Sequence, residues 1–192
     1  MEVYVMNELI KDELIKDEEI LWYGQPNSKV LFSVADIFLI PFSLLWGGFA
    51  MFWEITAITH RAPLLFCLFG IPFVFVGIYI IFGRFIYKSV RKKNTYYAVT
   101  NQRILIINKL INKSLQAEFI QHIPCIDKSV RSSGIGTIKF GNSPLFIGMY
   151  GNSGMEFFGS RYRKDVPAFY DIEDTEKVYR LVNELRKGEM KQ

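Results

Sequence analysis

The chain reads as an α+β protein: a two-helix transmembrane hairpin, then an antiparallel β-barrel or sandwich of about seven strands, closed by a C-terminal amphipathic helix. Three observations predict this. Ile37–Trp53 and Pro63–Gly83 are seventeen and twenty-one residues without a charge. From Asn94 onward the apolar period changes from helical to alternating, punctuated by Gly, Pro and Asn. Near the end, Val178, Leu181, Val182 and Leu185 fall at i, i+3, i+4 and i+7, one face of a helix.

The head, residues 1–33, is an acidic segment. Residues 1–36 hold three Lys and eight Asp or Glu, a net charge of −5. The pentapeptide ELIKD occurs twice in tandem, at 8–12 and 13–17. Leu9, Ile10, Leu14 and Ile15 make a short stripe, expected to fold on the tail domain or on a partner. Its acidic character disfavours an in-plane helix on anionic lipid. Trp22 and Tyr23 precede Gly24-Gln25-Pro26, which reads as a turn.

The first span is placed at 34–58 and the second at 63–87. A helix needs about 20 apolar residues at 1.5 Å each to cross roughly 30 Å of hydrocarbon. The connection is short, so the spans are expected to be antiparallel neighbours. Gly47, Gly48, Gly70 and Gly77 allow close approach, which stabilises helix pairs where lipid offers no hydrophobic force between them. Pro41 and Pro72 each remove a backbone donor. Asp36, Glu54 and Arg84 read as boundary residues. Arg84, Lys88, Arg91, Lys92 and Lys93 follow the second span, against Arg61 between the spans and Lys29 before them. The excess of Lys and Arg predicts that the tail, and with two spans the N-terminus too, faces the cytoplasm. No basic leader or small-residue cleavage site precedes the first span, so no secretory signal is expected.

The tail domain is placed at 94–188. Strands are expected at Tyr96–Val99, Arg103–Asn108, Ser114–Phe119, Ile126–Arg131 and Gly136–Gly141, with weaker ones at Leu145–Met149 and Met155–Phe158. Thr100-Asn101-Gln102 is a tight turn. Asp171 is expected to cap the closing helix, with Asp174 in its first turn; Arg186 and Lys187 suit its negative end, and Gly188 ends it.

Four pieces in this order resemble a known family: Glu18-Glu-Ile-Leu-Trp-Tyr-Gly-Gln-Pro26, Tyr97-Ala-Val-Thr-Asn-Gln-Arg103, Gly134-Ile-Gly-Thr-Ile138 and Phe169-Tyr-Asp-Ile-Glu-Asp174. Together with two preceding spans, they make the chain similar to bacterial membrane proteins that carry a pleckstrin-homology (PH) domain, over roughly Glu18 to Lys187. The resemblance implies a PH-like barrel at the inner face of a bacterial plasma membrane. It implies no single activity, because the fold hosts lipid, peptide and protein contacts.

Catalytic patterns are not found. His60 and His122 are the two histidines, and Cys67 and Cys125 the two cysteines. Their spacing makes neither a zinc site nor a disulfide framework. No nucleophile elbow, HExxH or P-loop is present. The expectation is therefore no enzyme, no cofactor and no metal. The positive signals are basic. Arg84, Lys88, Arg91, Lys92 and Lys93 at the membrane edge, with Lys109, Lys113, Arg161, Arg163 and Lys164 on tail loops, are candidate lipid-headgroup contacts; each such residue near an anionic leaflet contributes on the order of 1 kcal/mol. In PH domains that bind phosphoinositides, the first loop lysine is followed by Arg-x-Arg, whereas Lys113 here is followed by Ser-Leu-Gln. The leading reading is a non-enzymatic, membrane-anchored interaction module making protein contacts or assembling with itself. The alternatives are an anionic-lipid-sensing domain and an accessory subunit of a membrane enzyme or transporter complex. A nucleic-acid partner is not expected, since the tail's net charge of +4 is modest.

Overall fold

The computed structural model describes residues 8–29, 32–142, 152–155 and 166–188. It is α+β, with strand β1 (Ile20–Gly24) and helices α1 (Asp36–Thr59) and α2 (Leu64–Ile78). A π turn, Tyr79–Gly83, leads from α2 into α3 (Arg84–Lys93). Strands β2 (Thr95–Thr100), β3 (Arg103–Asn108), β4 (Ser114–Phe119), β5 (Ile126–Val130), β6 (Gly136–Phe140) and β7 (Ala168–Ile172) follow, then α4 (Thr175–Lys187). The described residues of 1–30, 90–144 and 164–192 group into one compact unit, and those of 31–89 and 145–163 into another.

The helical unit is built as its composition dictates. Helix α1, and the stretch Leu64–Lys93 taken through the π turn, are each long and apolar enough to cross a membrane. Most of their large side chains face outward, Leu65 and Leu45 among them, an apolar surface compatible with a hydrocarbon surrounding. The two helices pack antiparallel: Trp46 meets Phe73, and Trp53 meets Phe66 with ring centroids 5.2 Å apart. Gly47 and Gly77 are both buried where the helices meet. A Cβ on Gly77 would lie 2.9 Å from the Gly47 Cα, so two glycines are what lets these backbones touch.

The strand-rich unit holds two antiparallel sheets, in the orders β1-β2-β3-β4 and β5-β6-β7. Strands β3 and β4 coincide with the expected segments, and β2, β5 and β6 agree within a residue at each end. The expected strand Leu145–Met149, and 156–158 of Met155–Phe158, lie outside the described residues.

Alternation along β2 and β3 sends side chains to two covered faces. Tyr97, Val99 and Ile104 join Trp22, Ile138, Phe140, Phe169, Ile172, Val178 and Val182 in the main core. Phe169 is its centre: its ring lies 4.6 Å from Tyr97, 4.9 Å from Phe140 and 5.8 Å from Trp22. The periodic stripe of α4 closes this core through Val178 and Val182. On the other face Ala98, Leu105 and Ile107 are covered by Ile10, fully buried, and by Leu14. The described part of the acidic head thus folds on the sheet, with residues 8–11 helical.

Two local expectations are corrected. Gly24, expected to open a turn after Trp22 and Tyr23, instead ends a strand, because β2 supplies its partner: Gly24 faces Tyr97, with Trp22 facing Val99 and Tyr23 facing Ala98. The N-cap of α4 is Asp174, since Asp171 is taken into β7 and its backbone into a left-handed conformation, φ +51°. The Asp174 carboxylate makes no cap bond and accepts instead from the Trp22 indole Nε1 at 3.3 Å. Gly188 ends the helix at φ +69°, as expected.

Candidate functional site

The buried charges among the described residues include several that pair with one another. In the strand-rich unit, two buried clusters hold together segments far apart in sequence. The first joins two of the pieces that carry the family resemblance. Arg103 donates from Nε to Glu18 Oε1 at 2.8 Å and from Nη2 to Glu18 Oε2 at 2.9 Å. Nη2 also reaches the Glu13 carbonyl at 2.6 Å. The Thr100 hydroxyl donates to Glu18 Oε1 at 2.7 Å, and the Ile15 N–H donates to Oε2 at 2.8 Å. Around this pair the tight turn reads the head's backbone: Asn101 Nδ2 and Gln102 Nε2 both donate to the Asp17 carbonyl. Burial alone would raise the Glu18 pKa, but the Arg103 bonds, with those from Ile15 and Thr100, outweigh it and hold the carboxyl below its ordinary value of 4.5.

The second cluster centres on Asp171. Its buried carboxylate accepts from Lys92 Nζ at 2.6 Å and lies 3.5 Å from Arg131 Nη2. Lys92 Nζ also donates to the Asn27 carbonyl at 3.4 Å, while the Asn27 N–H donates to the Asp171 carbonyl at 2.8 Å. Asn27 precedes the two long helices in sequence and Lys92 follows them, so both flanks converge on one aspartate. Nearby, the buried Tyr97 hydroxyl accepts from the Tyr170 N–H, and burial pushes its pKa well up.

In the helical unit, Arg84 is fully buried and ion-paired with Asp36. Its Nε donates to the Ile80 carbonyl inside the π turn at 2.7 Å. The Asp36 carboxylate in turn accepts from the Ser33 hydroxyl at 2.8 Å. A paired, hydrogen-bonded charge is the form in which an ionised group persists in low dielectric.

The ten cations singled out from sequence therefore fall into different settings. Arg84, Lys88 and Lys92 are buried, two of them in the ion pairs above. Arg91 and Lys109 are half-buried. Lys93 is exposed, and Lys113 is exposed and ion-paired with Glu13. Arg161, Arg163 and Lys164 lie outside the described residues. The structure does not gather the described members into one patch of free charge.

Sequence reasoning missed Asp171 as the partner of Lys92 and Arg131, and Glu18 as the partner of Arg103. A weak signal existed in the short apolar and aromatic run Ile20-Leu-Trp-Tyr, which places Glu18 near the entry to a strand. Among the described residues no group of three or more His, Cys, Asp or Glu side chains is arranged to hold a metal ion. An open cavity of about 730 Å³ lies along residues 19–23, with Lys11, Leu14 and Lys177 beside it. No family model, curated protein or solved structure matches the chain.

Proposed function

We propose that this protein is a non-enzymatic, membrane-anchored interaction module: a two-span hairpin carrying a PH-like domain that makes protein contacts or self-assembles at the cytoplasmic face of a bacterial plasma membrane. The observation that carries this reading is the pairing of β1 with β2 across the intervening helices. Because strands from both flanks share one sheet, two spans must return the chain to the side it left. The domain is then tied to the bilayer at both flanks, which favours a role in display over one in free diffusion. The five basic residues after the second span favour the cytoplasmic side. Two sheets of four and three strands followed by one helix are compatible with the PH plan.

Two measurements test this. With Cys67 and Cys125 replaced by serine, a membrane-impermeant maleimide applied to spheroplasts should label a cysteine placed at Arg61 and spare one at Asn112; the reverse pattern sinks the topology. The full chain, extracted in mild detergent, should run as an oligomer or carry a stoichiometric partner. A lone monomer at native expression level overturns the interaction reading.

A further inference from the structure

Strand β1 is the outermost strand of its sheet among the described residues: β2 occupies one edge, and no described strand occupies the other. The cavity along 19–23 touches Leu14, which covers one face of the sheet, and Lys177 on α4, which covers the other. A cavity that meets both covers and follows β1 lies at the strand's free edge, since the opposite edge is filled. There the backbone presents N–H and C=O groups spaced for another strand. Five residues at about 3.4 Å each give a template roughly 17 Å long.

The template is rigid and charged. Trp22 is locked by its indole bond to Asp174 and its stacking on Phe169. Leu21 and Tyr23, each 37% exposed, alternate with it. Lys11 and Lys177 are both exposed, with no ion pair among the described residues, against one acid in the cavity, Glu19. Pairing with β2 slips between Ile20 and Trp22, an irregularity of the kind that keeps indiscriminate strands off an edge. A second copy paired edge to edge about a two-fold axis would bring the same lysines together, which like-charge repulsion opposes.

We propose that this edge takes up an extended, acidic segment of a partner protein, added as a strand beside β1 and held by Lys11 and Lys177. The inference rests on the interaction-module reading and names the partner's chemistry. The same lysines that repel a second copy or a basic strand attract this one.

The test uses the full chain in neutral-lipid nanodiscs and a fluorescein-labelled, end-blocked hexapeptide of alternating valine and glutamate, followed by fluorescence anisotropy. Saturable binding is expected, weakened roughly tenfold or more in the Lys11→Glu/Lys177→Glu double variant. A peptide with lysine for glutamate should bind the double variant and not the parent, which shows that the variant is folded. N-methylation of alternate peptide amides should abolish binding. No binding by the parent, indifference to the charge reversal, or unchanged binding of the N-methylated peptide overturns the proposal. Cross-linking in native membranes separates the two levels. If parent and double variant retain the same partner equally, this edge is excluded and the module reading stands. If the parent cross-links to nothing, the module reading fails as well.

Discussion

Glu18 and Arg103, 85 residues apart in the chain and on opposite sequence sides of the two long helices, close a buried two-point ion pair. Thr100, Ile15 and the Glu13 carbonyl add hydrogen bonds, but among the described residues each group is the other's ion-pair partner. Removing one partner of such a pair costs about 3–5 kcal/mol, because the remaining charge is left buried and uncompensated. Glu18→Gln or Arg103→Met in the full chain should lower unfolding stability by that order, read by denaturant titration with near-UV circular dichroism. A loss under about 1 kcal/mol would mean the pair is solvated in solution.

The same pair sets a pH dependence. The folded Glu18 carboxyl titrates below its ordinary 4.5, so the unfolded chain binds the proton more readily. Its contribution is therefore fully present above about pH 4.5 and is lost as pH falls through the lower folded value. Stability measured from pH 6 down to pH 3 should fall less steeply in Glu18→Gln than in the parent. Parallel curves would remove Glu18 from the account.

Asp171 carries two separable loads, a carboxylate between Lys92 and Arg131 and a backbone at φ +51°. Asp171→Asn keeps a side chain that tolerates the left-handed region and loses only the charge. Asp171→Gly loses the side chain but relieves the backbone, and Asp171→Ala loses both advantages. Alanine should be less stable than glycine by about 1 kcal/mol, since a Cβ is disfavoured there. Equal stabilities would show that the backbone relaxes.

Gly47 and Gly77 meet at van der Waals distance in the helical unit. Gly77→Leu should force α1 and α2 apart and cost about 1–3 kcal/mol, while Gly48→Leu, whose added Cβ meets nothing within 4 Å, should be nearly neutral. Denaturation by titrated SDS in mixed micelles reads the difference. Equal tolerance would mean the helices do not pack through this pair.

A fragment beginning at Asn94 lacks β1, Trp22 and Glu18, and so leaves Arg103 unpaired and the core open. It should not fold cooperatively. Residues 8–29 joined to 90–192 by a short Gly-Ser linker should fold, because Asn27 and Lys92 lie within hydrogen-bond reach. This joined unit is also the right probe for lipid. On the protein-contact reading it should cosediment no better with anionic than with neutral vesicles at low salt. Salt-sensitive anionic binding would favour the lipid-sensing alternative.

Local pattern made several elements readable. Arg103–Asn108 declares itself by a strong apolar run, Ser114–Phe119 by alternation, α4 by a four-residue stripe and a closing glycine, and the long helices by uncharged length. Each signal lies within about twenty consecutive residues. Strand β1 was not readable this way: five residues, the last of them in an expected turn, show no clear strand period until β2 arrives from beyond the helices. Strand β7 was hidden similarly, its Asp171 looking like a helix cap because aspartate is a favoured N-cap residue.

The cations show the same division. Sequence alone determined that basic residues gather after the second apolar run, since a count along the chain requires no fold. It did not determine which are free. Lys92 and Arg84 are indistinguishable by sequence from solvated flanking charges, yet Asp171 and Asp36 bury both. Periodicity and uncharged length thus determined most of the elements, β1 and β7 excepted. The tertiary structure decided the order of the sheets, the partners of Arg84, Lys92 and Arg103, and the edge of β1 that no described strand occupies, because strand pairing and ion pairing act across chain separations that no local window spans.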